Sequence, residues 1–166
     1  MSQAIKYQNT TVEPFKSANE IAMLVQKYGG TRFEMRWDNG RLAGVRFAIK
    51  HERLGEVPVR LDAKTKKIED ILYSKTSKGR EACRDLAYRI AWRQLKDFVE
   101  QSLLAVETGL FPLHEAFMAQ METPNPEGGE PITVGQLFEK RATAVPGGIT
   151  LMLAAPIVEA EYEVLT

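Results

Sequence analysis

Arg32, Arg36, Arg46, Lys50 and Arg60 fall at even positions in a stretch whose odd positions are largely apolar, and guanidinium groups gathered on one surface suit phosphate oxygens. Lys64, Lys66 and Lys67 follow directly and extend the same basic footprint. The chemistry this implies is contact with a nucleic-acid backbone. A protein that neutralises about six to ten phosphates loses roughly three to five decades of affinity between about 50 and 200 mM salt. Phe33, Met35, Trp37 and Phe47 are expected on the opposite, inward face, which leaves no aromatic platform for stacking bases. Binding would then be backbone-directed and weakly sequence-specific. The competing reading is an ordinary solvated sheet face.

Charge is sorted along the chain. Residues 1–31 carry three lysines against two acids, residues 32–96 seventeen lysines and arginines against nine acids, and residues 97–166 two against eleven. The balances of +1, +8 and −9 cancel to a net charge of zero. Such asymmetry points to a polyanion-binding segment beside an acidic one that binds a partner or shields the chain's own cations. Glu159, Glu161 and Glu163 alternate with Ala160, Tyr162 and Val164, the pattern of a strand with one acidic face. If this strand lies beside the basic sheet, the arginines are neutralised within the molecule; if it stands free, it can pair with another chain edge or compete with nucleic acid as a mimic. The sequence leaves both open.

Catalytic tools are sparse. His51 and His114 are far apart in sequence and read as surface residues, and the chain has no phosphate-binding glycine loop, nucleophile elbow or Cys/His pairing signature. No catalytic residue, metal site or cofactor is expected. The remote alternative is a Mg²⁺-dependent nuclease using Asp62 and Lys64 with Glu52 and Glu56. The single cysteine, Cys83, excludes an internal disulfide and reads as a buried inert thiol. Arg89, Arg93 and Lys96 read as a solvated helix face, with Asp85 and Glu100 at ion-pair spacing from Arg89 and Lys96. Arg84 falls on the apolar side and needs a structural ion-pair partner.

Several elements must position these groups. Residues 1–14 read as an arm or edge strand. Ser17 and Glu20 form a capping box opening a helix over Ile21, Leu24, Val25 and Tyr28, with Gly29-Gly30 as its stop. From Thr31 the apolar period changes to two, and three strands follow over residues 31–62, the first two joined by Asn39-Gly40. Their inward residues are Phe33, Met35, Trp37, Val45, Phe47, Ile49, Val57, Val59 and Leu61, and Pro58 marks an edge. Residues 63–79 read as a lysine-rich loop with one helical turn. A long helix is predicted over 80–108, its arc running from Cys83 and Leu86 to Leu103 and Val106, with Trp92 read as core. A short helix over 112–121, a solvated loop over 122–130, a helix capped by Thr133 and Gln136, and strands over 149–153 and 160–164 complete the reading.

The run Ala87-Tyr88-Arg89-Ile90-Ala91-Trp92-Arg93-Gln94-Leu95-Lys96-Asp97-Phe98-Val99-Glu100 is followed by Glu107-Thr108-Gly109, Phe117 and Thr133-Val134-Gly135-Gln136-Leu137-Phe138. Together these resemble a family of small bacteriophage and prophage proteins, over about residues 86 to 141. The resemblance implies a phage or mobile-element origin and no activity.

The expectation is one α+β domain: a three- or four-stranded antiparallel sheet on one long helix, with smaller flanking helices. Its segments are an arm (1–14), a helix and meander (15–62), a basic loop (63–79), the long helix (80–108) and an acidic C-terminal part (110–166). With no signal-peptide-like or membrane-spanning apolar run, the expected location is cytoplasmic, the host cytoplasm for a phage-encoded protein. The expected role is a non-catalytic accessory protein binding DNA or RNA. The alternative is a protein-interaction module acting on a host complex through the acidic C-terminal third, and a homo-oligomer through the wide helical arc stays open.

Overall fold

The computed structural model of the chain describes residues 5–77 and 79–144. The expected strands over 149–153 and 160–164, with Glu159, Glu161 and Glu163, lie outside the described residues.

Helix α1 spans Pro14–Lys27 and buries Ala18, Ile21 and Val25. It starts one turn earlier than the expected capping box, because Pro14 takes the first helical positions, where its missing N–H costs nothing. Ser17 is consequently buried inside the helix, its hydroxyl unpartnered, and Glu20 pairs with Arg93 instead.

Strands β1 (Gly30–Asp38), β2 (Arg41–His51) and β3 (Gly55–Asp62) form the expected antiparallel meander in the order β1-β2-β3. Asn39 and Gly40 take φ of 48° and 75°, the two positive values that a tight hairpin requires. Val45, Phe47, Ile49, Val57, Val59 and Leu61 are buried as expected. Trp37 is not: it is 60% exposed. The ladder shifts between Arg36↔Gly44 and Trp37↔Leu42, so Ala43 is an extra residue on β2 that turns Leu42 to the buried face, while Trp37 opposite it lies one residue from the end of β1, beside the turn.

Helix α3 spans Arg80–Glu107 and buries Trp92, Val99 and Leu103 with the inner sheet face and α1. Contacts from Glu13 to Arg89, Glu20 to Arg93 and Tyr28 to Glu107 advance in step, so α1 and α3 run parallel. The lysine-rich segment is not a loop: Lys66–Lys75 form helix α2, whose Leu72 is buried against Cys83, Ala87 and Ile90. The Ile68, Ile71 and Leu72 spacing specifies that helix, and the lysines around it are the solvated remainder. The long helix is therefore covered on two sides.

Leu113–Ala116 form α4, followed by a 3-10 turn over Met118–Gln120. Phe117 packs edge-on against both Phe47 and Phe98, with ring centroids 5.9 Å apart in each pair. The loop expected over 122–130 is closed at its base by β4 (Glu122–Thr123) and β5 (Ile132–Thr133), and Met121 bridges to Val59 on β3. The predicted Thr133/Gln136 box is present: Thr133 N–H donates to Gln136 Oε1 at 3.0 Å, and Gln136 N–H to Thr133 Oγ1 at 3.2 Å. It opens α5, Val134–Ala144. The architecture is α+β, and no helix among the described residues is long and apolar enough to cross a membrane.

Residues 5–13 are neither a free arm nor a strand. Ile5 and Tyr7 pack beside Leu72 and Cys83, while Lys6 Nζ and Tyr7 OH both donate to Asp97. Burial alone would raise the Asp97 pKa, but these two hydrogen bonds outweigh it and hold the carboxyl below its ordinary value. A depressed carboxylate stabilises the fold above its unfolded pKa of about 3.9, and that contribution is lost as pH falls through the lower folded value. Asp97→Asn should therefore release the segment at neutral pH. Faster amide exchange over residues 5–13 in the variant is the expected result; unchanged exchange would show that packing alone holds the arm.

Candidate binding interface

The outer sheet face is set by register. Arg36 and Asp62 are both opposite Gly44, and a side chain there would run into the Leu61 carbonyl, its Cβ only 2.3 Å away. Because Gly44 has none, Arg36 donates to Asp62 across the middle strand. Arg46 lies between Glu34 and Arg60 in the ladder, yet its Nε donates to Glu122 on β4 at 2.6 Å. Arg60 is only 10% exposed at its side chain and lies 3.9 Å from Glu122 and 3.6 Å from Asp62. It also donates to the Pro131 carbonyl and to Gln136. Arg32 makes a longer, open contact with Glu56 at 3.5 Å.

The expected basic face is thus a mixed-charge network rather than a row of cations opposed only by Glu34. The C-terminal hairpin and Asp62 supply the anions that join Arg36, Arg46 and Arg60. Lys50, Lys64, Lys66 and Lys67 are exposed and have no ion-pair partner among the described residues.

The residues of the remote nuclease reading do not converge. Glu56 and Asp62 lie at opposite ends of β3, roughly 20 Å apart at about 3.3 Å per residue, and Asp62 is held by two arginines. Among the described residues no three metal-ligating side chains form a group. The two histidines, far apart in sequence, meet edge-on with ring centroids 5.8 Å apart, and both are half-buried rather than surface residues. His51 Nδ1 accepts the amide hydrogens of Arg53 and Leu54, which makes it a cap for the β2–β3 turn.

On α3, Lys96 and Glu100 form the expected pair at 2.6 Å. Asp85 turns to Arg41 and Arg89 to Glu13, so the expected Asp85–Arg89 pair is replaced by contacts between elements. Arg84 is half exposed rather than buried and lies 3.8 Å from Glu69 on α2.

A different surface is open. Nothing among the described residues pairs with the outer edge of β1, nine residues long. Beside that edge lies a groove of about 500 Å³ between the strand and α1, lined by Ala22, Met23 and Val25 on one side and Thr31, Arg32 and Phe33 on the other. Met23 is 71% exposed on its rim. Arg32, with its side chain 72% exposed, is the cation at this site least engaged by the fold.

No family model, curated protein or solved structure matches the chain.

The sequence reading placed Arg32 in the site but for another ligand, and it passed over Met23 and the β1 edge. An exposed methionine on an otherwise amphipathic helix, next to a strand whose pairing is complete on one side only, was the available signal. Glu122 had no such signal, since it is 76 residues from Arg46 in sequence.

Proposed function

We propose that the protein is a non-catalytic interaction module that takes an extended segment of a protein partner onto the edge of β1. The observation that carries this reading is the coincidence of an unpaired edge strand with a groove alongside it, bounded by a helix. Main-chain hydrogen bonds to the edge give such a segment affinity, and alternate side chains entering the groove give it specificity. An exposed edge is otherwise an aggregation liability, which the charges of Arg32, Glu34 and Arg36 on β1 moderate without closing the edge to a strand of complementary charge. The apolar side chains would contact Ala22, Met23 and Phe33, and acidic ones would face Arg32. In keeping with the likeness of residues 86–141 to phage and prophage proteins, we place the partner among host proteins.

A second reading, nucleic-acid contact, draws on Lys50, Lys64, Lys66 and Lys67, which no described anion engages. It loses ground because Arg36, Arg46 and Arg60 serve the fold.

The test uses short labelled peptides alternating valine with glutamate, threonine or lysine. They are presented to the full-length chain, both native and carrying Tyr162→Asp with Val164→Asp, since the acidic tail is itself of the proposed ligand class. We expect the valine–glutamate peptide to bind at least one form and Met23→Glu to weaken it by about ten-fold, a difference of about 1.4 kcal/mol. Absence of binding to both forms, or binding that ignores Met23→Glu, overturns the reading. A DNA or RNA mobility shift lost on replacing Lys64, Lys66 and Lys67 by glutamate would put nucleic acid first.

A further inference from the structure

We infer that a second copy of this chain is the resident occupant of the β1 edge: two β1 strands pair antiparallel about Met35, and Trp37 of each copy enters the groove of the other. This rests on the strand-addition reading above and adds its regulation. The free protein covers its own site by dimerising, and a partner segment displaces the second copy.

Trp37 lies on the core-facing side of the sheet without a core over it. It continues the alternation of Phe33 and Met35, which pack inward, yet it is 60% exposed. A large exposed aromatic beside an unpaired edge and an apolar groove has the composition of an interface centre rather than of a solvated rim. The wide arc of α3, the surface the sequence offered for a dimer, is covered on two sides, by α1 with the sheet and by α2. The β1 edge is therefore the better candidate for self-association.

Charge and Trp37 together choose the register. A two-fold axis normal to the sheet keeps the inner faces of both copies on one side, so odd positions must meet odd and even meet even. Centring the axis on Arg32, Glu34 or Arg36 sets a charge opposite its own copy, which is destabilising. Centring it on Phe33 leaves Trp37 opposite Gly29, which has no side chain to meet it. Centring it on Met35 pairs residues 32–38 of both copies. Phe33 of each copy then stands opposite Trp37 of the other, Met35 opposite Met35, and Arg32 opposite Asp38.

The charges this register uses are those the fold leaves over. Asp38 has no ion pair among the described residues, its side chain meeting only the neighbouring Asn39 amide. Arg32 has only the open 3.5 Å contact with Glu56. Glu34 comes opposite Arg36, whose charge Asp62 already answers, so that pair adds little. Phe33 lines the groove with Ala22, Met23 and Val25, so an indole opposite it enters between the strand and α1 beside the exposed Met23. The joined sheet has six strands, and the open edge of each copy disappears into its centre. A tryptophan buries about 150–250 Å², so two supply a minor share of the roughly 1,200–2,000 Å² of a standard interface. Main-chain pairing and the facing α1 surfaces supply the rest. Such a dimer is weak enough to give way, by mass action, to a segment that fits the same edge better.

The test is sedimentation velocity with tryptophan fluorescence on the full-length chain, from low micromolar to near-millimolar concentration. Trp92 is fully buried, so a blue shift of emission that grows with concentration reports Trp37 leaving water. We expect that shift to track dimer formation and Trp37→Ala to weaken association by at least about ten-fold. Arg32→Asp and Asp38→Arg should each weaken it, and the two combined should restore it, because the exchanged charges still meet. All three side chains are exposed, so every variant should keep the native circular dichroism. A chain that stays monomeric throughout overturns the inference. So does a dimer that ignores Trp37→Ala or that the exchanged pair fails to restore. The valine–glutamate peptide separates this outcome from the partner reading. Dissociation of the dimer by the peptide is the expected result. Peptide binding to an always monomeric protein removes the masking copy and leaves the partner reading intact; a dimer that responds to the variants but admits no peptide keeps the second copy and overturns the partner reading.

Discussion

Trp92→Ala is expected to lower the unfolding free energy by about 3–5 kcal/mol, the range for removing a large buried aromatic. Trp92 is fully buried between α1, α3 and the inner sheet face, in the cluster with Phe47, Val99 and Leu103. Collapse into the space is limited, because both neighbouring surfaces are regular elements tied down elsewhere, the sheet by its ladder and α1 by the Arg89 and Arg93 pairs. The loss corresponds to a fall in Tm on the order of 10 °C or more for a domain of this size.

A second readout tests how far the damage travels. Cys83 sits on the opposite flank of α3, buried with Leu72, Ala87 and Ile90. If α3 makes the two clusters one cooperative unit, the Cys83 thiol should become reactive to an alkylating reagent at the same denaturant concentration at which fluorescence and circular dichroism report unfolding. Thiol exposure at clearly lower denaturant would show that α2 and the N-terminal arm open as a separate unit, and that the Trp92 cluster alone sets global stability.

The two clusters also show what the sequence made legible. Local signals were read well where period and turn chemistry agree. The Asn39-Gly40 hairpin, the inward run from Val45 to Leu61, the extent of α3 and the Thr133/Gln136 cap all follow from neighbours within a few residues. Misreadings share a cause, which is competition between a local pattern and a distant contact. Ser17 offers a good cap, but Pro14 starts the helix sooner. The lysines of α2 look like a loop because the three apolar residues that make it a helix become meaningful only against Cys83 and Ile90. Trp37 continues the alternation of β1, but at the end of the strand, beside the turn, the core no longer covers it.

The candidate site was less legible than the fold for the same reason. Five cations at even positions gave the outer sheet face correctly, and position alone cannot show that Asp62 answers Arg36 across Gly44 or that Glu122 arrives from 76 residues beyond Arg46. Charge counted along the sequence was read as available charge. Much of it is internal.

That distinction leads to the second large effect. Glu122→Ala should cost about 2–4 kcal/mol, more than an ordinary surface ion pair, which contributes about 0–1 kcal/mol. Glu122 is 4% exposed at its side chain, accepts from Arg46 at 2.6 Å and lies 3.9 Å from the nearly buried Arg60, so its removal leaves guanidinium groups facing a desolvated partner site. Arg46 is 40% exposed and can turn toward water, which keeps the expected loss below the full cost of an orphaned buried charge. The damage should be local first: amide exchange over 121–133 should quicken while residues 44–48 on the central strand stay protected, because the Met121 bridge, these ion pairs and the Arg60 hydrogen bonds to Pro131 and Gln136 join β4 and β5 to β3, whereas residues 44–48 are held by the ladders on both sides.

Replacing both partners by methionine, as Arg46→Met/Glu122→Met, should recover much of the loss, and the double-mutant cycle should give a coupling of about 1–3 kcal/mol. A coupling near zero would mean that the outer-face arginines are not committed to holding the hairpin and are free for an external anion. The nucleic-acid reading would then regain its main surface. A strong coupling with peptide binding at the β1 edge unchanged would separate the two sides of the sheet by role: β3 and its arginines secure the C-terminal hairpin, and β1 receives the strand.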